Sequence, residues 1–196
     1  MQINPLEQLI KILSKLPGLG PKSAKRIALF LVQNKEEILK LSHLLDKTVN
    51  EIKSCSTCAN IDIYNPCSIC ADKARDNSIL CIVESISDLW AIEKSKTYKG
   101  QYHVLKGTLS AIEGRMPKDL NIDSIKDRVK DGSITEVIIA TNSNLEGQAT
   151  GHYIAQLLEG LDVKISRLAS GIPIGATLDY IDDGTLALAL KLRHKF

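Results

Sequence analysis

The residues best placed to do chemistry are four cysteines, spaced Cys55-Ser-Thr-Cys58 and, eight residues later, Cys67-Ser-Ile-Cys70. Two Cys-x-x-Cys pairs this close fold back as paired knuckles and set four thiolates around one tetrahedral Zn²⁺. Each pair is a short chelate, so the loop between the pairs carries the main closure cost. Four protein ligands leave no open position for water, which suits a structural site rather than a catalytic one. Two disulfides, or four free thiols, are the other readings. Tandem pairs in a chain without a secretion signal favour the metal.

A second group is basic. Leu16-Pro-Gly18-Leu-Gly20-Pro-Lys22-Ser-Ala-Lys25-Arg26-Ile27 puts two glycines and two prolines ahead of three cations. Gly18 and Gly20 would let the backbone approach a phosphate, and the free N–H groups at the following helix start favour an anion. Lys22, Lys25 and Arg26 would add phosphate contacts without sequence information. The competing reading is an ordinary helical hairpin with solvated charges.

A third group lies where two short apolar runs end. Ile79-Leu-Cys-Ile-Val83 runs into Glu84, and Glu136-Val-Ile-Ile-Ala140 runs into Thr141-Asn142-Ser-Asn144-Leu-Glu146-Gly147. Such runs read as buried strands, and functional groups of parallel sheets collect at strand carboxyl ends. Two amides and two carboxylates make a poor cage for Mg²⁺, which wants anionic oxygens.

These groups need scaffolds. Asn4-Pro5 reads as a helix start, with Leu6, Leu9, Ile10 and Leu13 on one stripe. Pro21 opens a second helix, with Ala24, Ile27, Ala28 and Leu31 on one face, and a third pattern runs over roughly 36–52. Beyond the cysteines, strands over 79–83, 102–105, 136–140 and 163–167 alternate with helices over 87–95, 122–129 and 149–158. That order predicts a mainly parallel sheet with right-handed crossovers. Trp90 is expected in the core, Cys81 as a small buried residue, and 106–120 as a surface loop. Asp131-Gly132 should end one helix, and Asp182-Asp183-Gly184 should start the last. The basic end, 191–196, reads as a solvated tail.

Composition bounds the rest. The chain has 196 residues, 44% hydrophobic and only 4% aromatic, so Ile, Leu and Val must fill the core. The net charge is +2, but residues 1–54 hold nine Lys/Arg against five Asp/Glu, a local +4 (9 − 5). No apolar run approaches the ~18 residues needed to span a bilayer. No membrane association and a reduced cytoplasmic, nucleoid-associated setting are expected. Gly171-Ile-Pro-Ile-Gly175 lacks the Gly-Lys-Ser/Thr ending of a nucleotide loop, which argues against ATP hydrolysis.

The hairpin resembles a helix-hairpin-helix DNA-binding motif. Ile82-Val-Glu84-Ser85 and Ala140-Thr-Asn-Ser-Asn-Leu-Glu-Gly-Gln-Ala149 resemble the two motifs of a Toprim domain. In Toprim enzymes a Glu and an Asp-x-Asp pair hold Mg²⁺; here Asn142-x-Asn144 replaces the aspartates. The order helix-hairpin-helix, four-cysteine zinc motif, Toprim resembles the RecR family of recombination mediators, as does the ending from Gly171 to Leu190. The resemblance implies a multi-module α/β chain: helix-hairpin-helix region 1–54, zinc finger 55–70, Toprim domain 78–173 and C-terminal assembly segment 174–196. It implies a non-catalytic, ring-shaped homotetramer that encircles double-stranded or gapped DNA without sequence preference. It further implies work with RecO and RecF in recombinational repair. Glu84, Asn142, Asn144 and Glu146 would then form a partner site or weak ion site. Lys106 and Arg115 depart from the family's usual glycine-rich segment there. A Toprim-type nuclease, primase or topoisomerase with an atypical site, and a structural adaptor of a repair complex, are the competing functions.

Overall fold

The computed structural model describes residues 4–130 and 132–193, in two compact units, one ending at Ile52 and the other beginning at Lys53. The first holds α1 (Pro5–Leu13), α2 (Pro21–Gln33) and α3 (Lys35–Glu51). α1 starts where an amide side chain meets a proline. The Leu6 N–H donates to Asn4 Oδ1 at 3.0 Å, and Pro5 takes the first helical position, where its missing N–H is not needed. The turn to α2 requires a left-handed residue, and Gly18 supplies it at φ +77°. Gly20 then precedes Pro21, which opens α2. α2 buries Ala24, Ala28 and Leu31, small enough at two positions for close helix packing, whereas no residue of α1 or α3 is buried.

The second unit opens on a short antiparallel pair, β1 (Lys53–Ser54) with β2 (Ile61–Asp62), and a one-turn helix, α4 (Ser68–Ala71). Four parallel strands follow: β3 (Asp76–Val83), β4 (Gly100–Val104), β5 (Glu136–Ala140) and β6 (Lys164–Arg167), in the order β4-β3-β5-β6. The helices between and after them are α5 (Ile86–Ser95), α6 (Asp123–Val129), α7 (Leu145–Leu157) and α8 (Asp183–Lys191).

Strand period 2 divides the core into two layers. Leu80, Ile82, Val137 and Ile139 face one cluster, filled by Ile122, Ile125 and Val129 of the α6 region and Ile154 and Leu158 of the α7 region. Cys81 and Val83 face the other, with Leu89 of α5, Tyr102, Val104 and Ala59. Leu80, Ile82, Ile125 and Ile154 are fully buried, each contributing about 1.5–3 kcal/mol relative to exposure.

Several expectations shift. β4 begins at Gly100, and α7 begins at Leu145 rather than 149 because Asn144 caps it, its Oδ1 accepting the Gly147 N–H at 2.8 Å. Trp90 is not in the core: it is 52% exposed while its neighbour Leu89 is fully buried. The 106–120 stretch is not simply a surface loop, because Thr108, Ser110 and Leu120 are buried. Asp182 does cap the last helix, accepting the Thr185 N–H at 2.9 Å. Asp131 and the tail residues 194–196 lie outside the described residues.

Candidate functional site

The four cysteine sulfurs come together. The ligand atoms of Cys55, Cys58, Cys67 and Cys70 all lie within 4.8 Å of one another, and Cys58 Sγ is 3.6 Å from Cys67 Sγ. A tetrahedron with Zn–S bonds near 2.3 Å would place its sulfurs about 3.8 Å apart, so the set fits one ion. Outer donors already face the sulfurs: the Cys67 N–H reaches Cys55 Sγ at 3.3 Å and the Asn60 N–H reaches Cys58 Sγ at 3.4 Å. Such contacts orient metal ligands and favour thiolates. The Cys58 thiol is drawn down to about 5, chiefly because Cys70 donates a hydrogen bond to it. Cys70 is pushed up for the reciprocal reason, and burial pushes Cys67 up to about 11.

Two residues that the spacing alone does not reveal hold the knuckle in shape. Asp62 Oδ2 accepts the Ser68 N–H at 2.8 Å and the Ser68 hydroxyl at 2.7 Å, which pulls its carboxyl down to about 2. Asn65 Oδ1 accepts the Ser56 N–H at 2.8 Å and its hydroxyl at 2.9 Å. Both are short polar side chains suited to local turns, the one signal that would have marked them.

Glu84 and Asn142 meet at the carboxyl ends of β3 and β5. The Asn142 N–H donates to Glu84 Oε1 at 2.7 Å, and its side-chain amide donates to Glu84 Oε2 at 2.5 Å. Glu84 is only 8% exposed. A capping box follows at once: Asp88 accepts the Ser85 N–H at 2.9 Å and Ser85 Oγ accepts the Asp88 N–H at 3.3 Å. It fixes the start of α5 and the exit of the chain beyond Glu84. Gly147 packs here with no room for a side chain. A Cβ would stand 2.3 Å from the Asn142 carbonyl oxygen and 2.7 Å from Glu84 Oε1.

The other two residues of this group turn to different work. Asn144 is spent on the α7 cap. Glu146 binds the 108–110 segment: Ser110 Oγ donates to its Oε1 at 2.5 Å and Thr108 Oγ1 to its Oε2 at 3.4 Å. The four residues therefore do not converge on one point. Glu84 accepts an amide N–H on each oxygen, and the neighbour that faces it is a neutral amide, whereas a Mg²⁺ cage is built from several anionic oxygens.

In the first unit, α2 begins with no side-chain cap and no acidic residue in its first turn. Lys22, Lys25 and Arg26 are exposed, and none pairs with a carboxylate among the described residues; the unit's ion pairs there are Lys40–Glu37 and Lys47–Glu51. A helix start with unmet N–H donors and three free cations is an anion-attracting surface.

Helical hairpin, thiol knuckle and parallel sheet define a multi-module α/β protein. Family models match at residues 6–49 (RecR, helix-hairpin-helix), 78–169 (Toprim domain) and 171–194 (RecR, C-terminal). The chain is 51% identical over 189 residues to a Recombination protein RecR of Rhizobium johnstonii, covering 96% of this chain and 94% of the relative. The same identity and coverage hold for a Recombination protein RecR of Agrobacterium fabrum. That of Parvibaculum lavamentivorans is 50% identical over 192 residues, covering 97% and 96%. The chain belongs to the RecR family of recombination proteins.

Proposed function

We propose that the protein is a non-catalytic recombination mediator that binds DNA through the α2 start and closes around it as a homotetrameric ring. It would act with RecO and RecF at gapped DNA in the cytoplasm, and one structural Zn²⁺ per chain would hold the knuckle. The observation that carries the binding role is the α2 start, where Gly18 and Gly20 precede the unpaired Lys22, Lys25 and Arg26. Backbone contacts of this kind give affinity with little sequence preference and a strong salt dependence.

The absence of catalysis is supported by Asn142, a neutral amide that donates to both oxygens of Glu84 and brings no carboxylate of its own. Two-metal or one-metal phosphoryl chemistry needs anionic ligands there. Assembly into a ring is supported by apolar side chains that the first unit does not cover: Leu39, Leu45 and Val49 are 69%, 59% and 81% exposed. Zn²⁺ is supported by the all-sulfur donor set, whose four sulfurs lie close enough together for one ion. In the knuckle it would supply cross-linking of two short loops, while Asp62 and Asn65 set the loops' shape.

The test is fluorescence anisotropy with a labelled gapped duplex across a salt series. Lys22→Ala combined with Arg26→Ala should weaken binding and lower the log–log salt slope by about 1.8, near 0.9 for each lost phosphate contact. Unchanged affinity and slope would overturn the assignment of α2.

A further inference from the structure

A cavity of about 500 Å³ opens in the second unit, with the knuckle residues Ser54 and Thr57 on its wall together with Lys106 and Lys118. Neither lysine ammonium, nor the hydroxyl of Ser54 or Thr57, has a partner among the described residues. Asp119 also lines the space, but its Oδ2 accepts the Met116 N–H at 2.9 Å and so closes the turn over Pro117–Asp119. The wall thus presents two cations against one carboxylate that already has work, plus two free hydroxyl donors.

Lys106 carries a second signal. It sits at φ +66°, a left-handed conformation that L side chains other than Asn and Asp rarely adopt. The backbone is held there from both sides: the Leu105 N–H donates to the Val83 carbonyl at 2.9 Å and the Gly107 N–H to the Glu84 carbonyl at 2.9 Å. Glycine would satisfy that geometry without strain. A strained lysine whose head group meets no internal partner points to an external one.

We propose that Lys106 and Lys118, with the Ser54 and Thr57 hydroxyls, form a phosphate-binding pocket between the thiol knuckle and the loop after β4. Ammonium groups bind phosphate as point charges, and hydroxyls add hydrogen bonds to its oxygens. The phosphate belongs either to a nucleic-acid backbone or to a free polyphosphate; both present the same anionic oxygens. The pocket lies in the second unit, so it stands or falls separately from the α2 surface.

The full chain carrying Lys106→Gly and Lys118→Gln is compared with wild type and with a charge-matched control, Lys73→Gln with Lys94→Gln, at two other exposed lysines. Inorganic pyrophosphate is titrated by calorimetry, and duplex DNA by anisotropy over a salt series. The pocket variant should bind pyrophosphate at least tenfold more weakly, or lose about 1.8 from its DNA salt slope, with the control unchanged in both. Loss of slope assigns the phosphate to a DNA backbone, and loss of pyrophosphate binding with an unchanged slope assigns it to a free polyphosphate. The melting temperature of Lys106→Gly should not fall, since the substitution relieves the left-handed strain. The proposal is overturned if neither readout moves, or if the control moves both equally.

Discussion

Asn142 closes on Glu84 with two hydrogen bonds, its backbone N–H to one carboxylate oxygen at 2.7 Å and its side-chain amide to the other at 2.5 Å. One amide thus ties together the carboxyl ends of the two central strands, β3 and β5. It satisfies a carboxylate that is 8% exposed without adding charge.

Asn142→Asp should therefore turn a satisfied pair into two carboxylates in contact, which cannot both stay ionised without a cation between them. Without added divalent ion, the melting temperature should fall below that of wild type by several degrees, corresponding to about 1–3 kcal/mol. Millimolar Mg²⁺ or Mn²⁺ should restore it. Thermal melts with and without divalent ion decide the point; equal melting in both conditions would show that Asn142 does not hold Glu84 in this way.

Gly147→Ala puts a methyl 2.3 Å from the Asn142 carbonyl oxygen, and a backbone oxygen cannot step aside cheaply. A loss of about 1–3 kcal/mol is expected from the overpacking. Gly171→Ala, with nothing within 4 Å of its added Cβ, serves as control and should be near neutral. Urea denaturation of the two variants checks this.

The sulfur cage predicts one metal ion per chain, released by chelator or by modification of the thiols. Because metal binding and folding are coupled, its removal should lower the melting temperature. Cys58→Ser should do the same and lower the metal content, whereas Cys81→Ser, buried in β3 and not one of the four clustered sulfurs, should leave the metal content at one. Elemental analysis alongside calorimetric melting reads both.

His103 supplies a pH signature. Burial holds its pKa down to about 4; the Asn121 carbonyl, 2.6 Å from Nε2, opposes this, and the nearby Arg128 guanidinium reinforces it. Arg128 also donates to Nδ1 at 3.2 Å, so the neutral ring carries its proton on Nε2. The unfolded chain binds the proton more readily, so the stability from the neutral ring is complete above about pH 6.5. It is lost as pH falls from about 6.5 toward about 4, on the order of 3 kcal/mol in all. Stability measured against pH for wild type and His103→Gln should differ by this slope over that window. Parallel curves would contradict it.

Much of the fold is legible because local signals agree. Asn4-Pro5 and Gly20-Pro21 mark two helix starts through the chemistry of caps, and Glu136–Ala140 is apolar enough to read as a buried strand. The cysteine spacing announces the sulfur cluster, which the fold assembles. What escapes the sequence depends on tertiary partners. Asn144 looks like a displaced metal ligand but caps α7, because a capping amide and a ligand carboxylate occupy the same position after a strand. Thr108 and Ser110 look like loop residues but are buried against Glu146, 38 and 36 residues away in sequence. Leu89 and Trp90 both suit an apolar stripe, and only packing decides that Leu89 is the one inside. β1 and β2 are two residues each, too short for any periodicity to announce them.

The most direct test of DNA binding without chemistry is a native gel series with supercoiled plasmid and a gapped circle, each incubated with protein with and without Mg²⁺. Half of each sample runs intact and half after the protein is stripped away. Retarded complexes in the intact half, with unaltered DNA in the stripped half, are the expected result. Nicked or relaxed DNA after stripping would contradict it and assign catalysis to the Glu84 edge of the sheet.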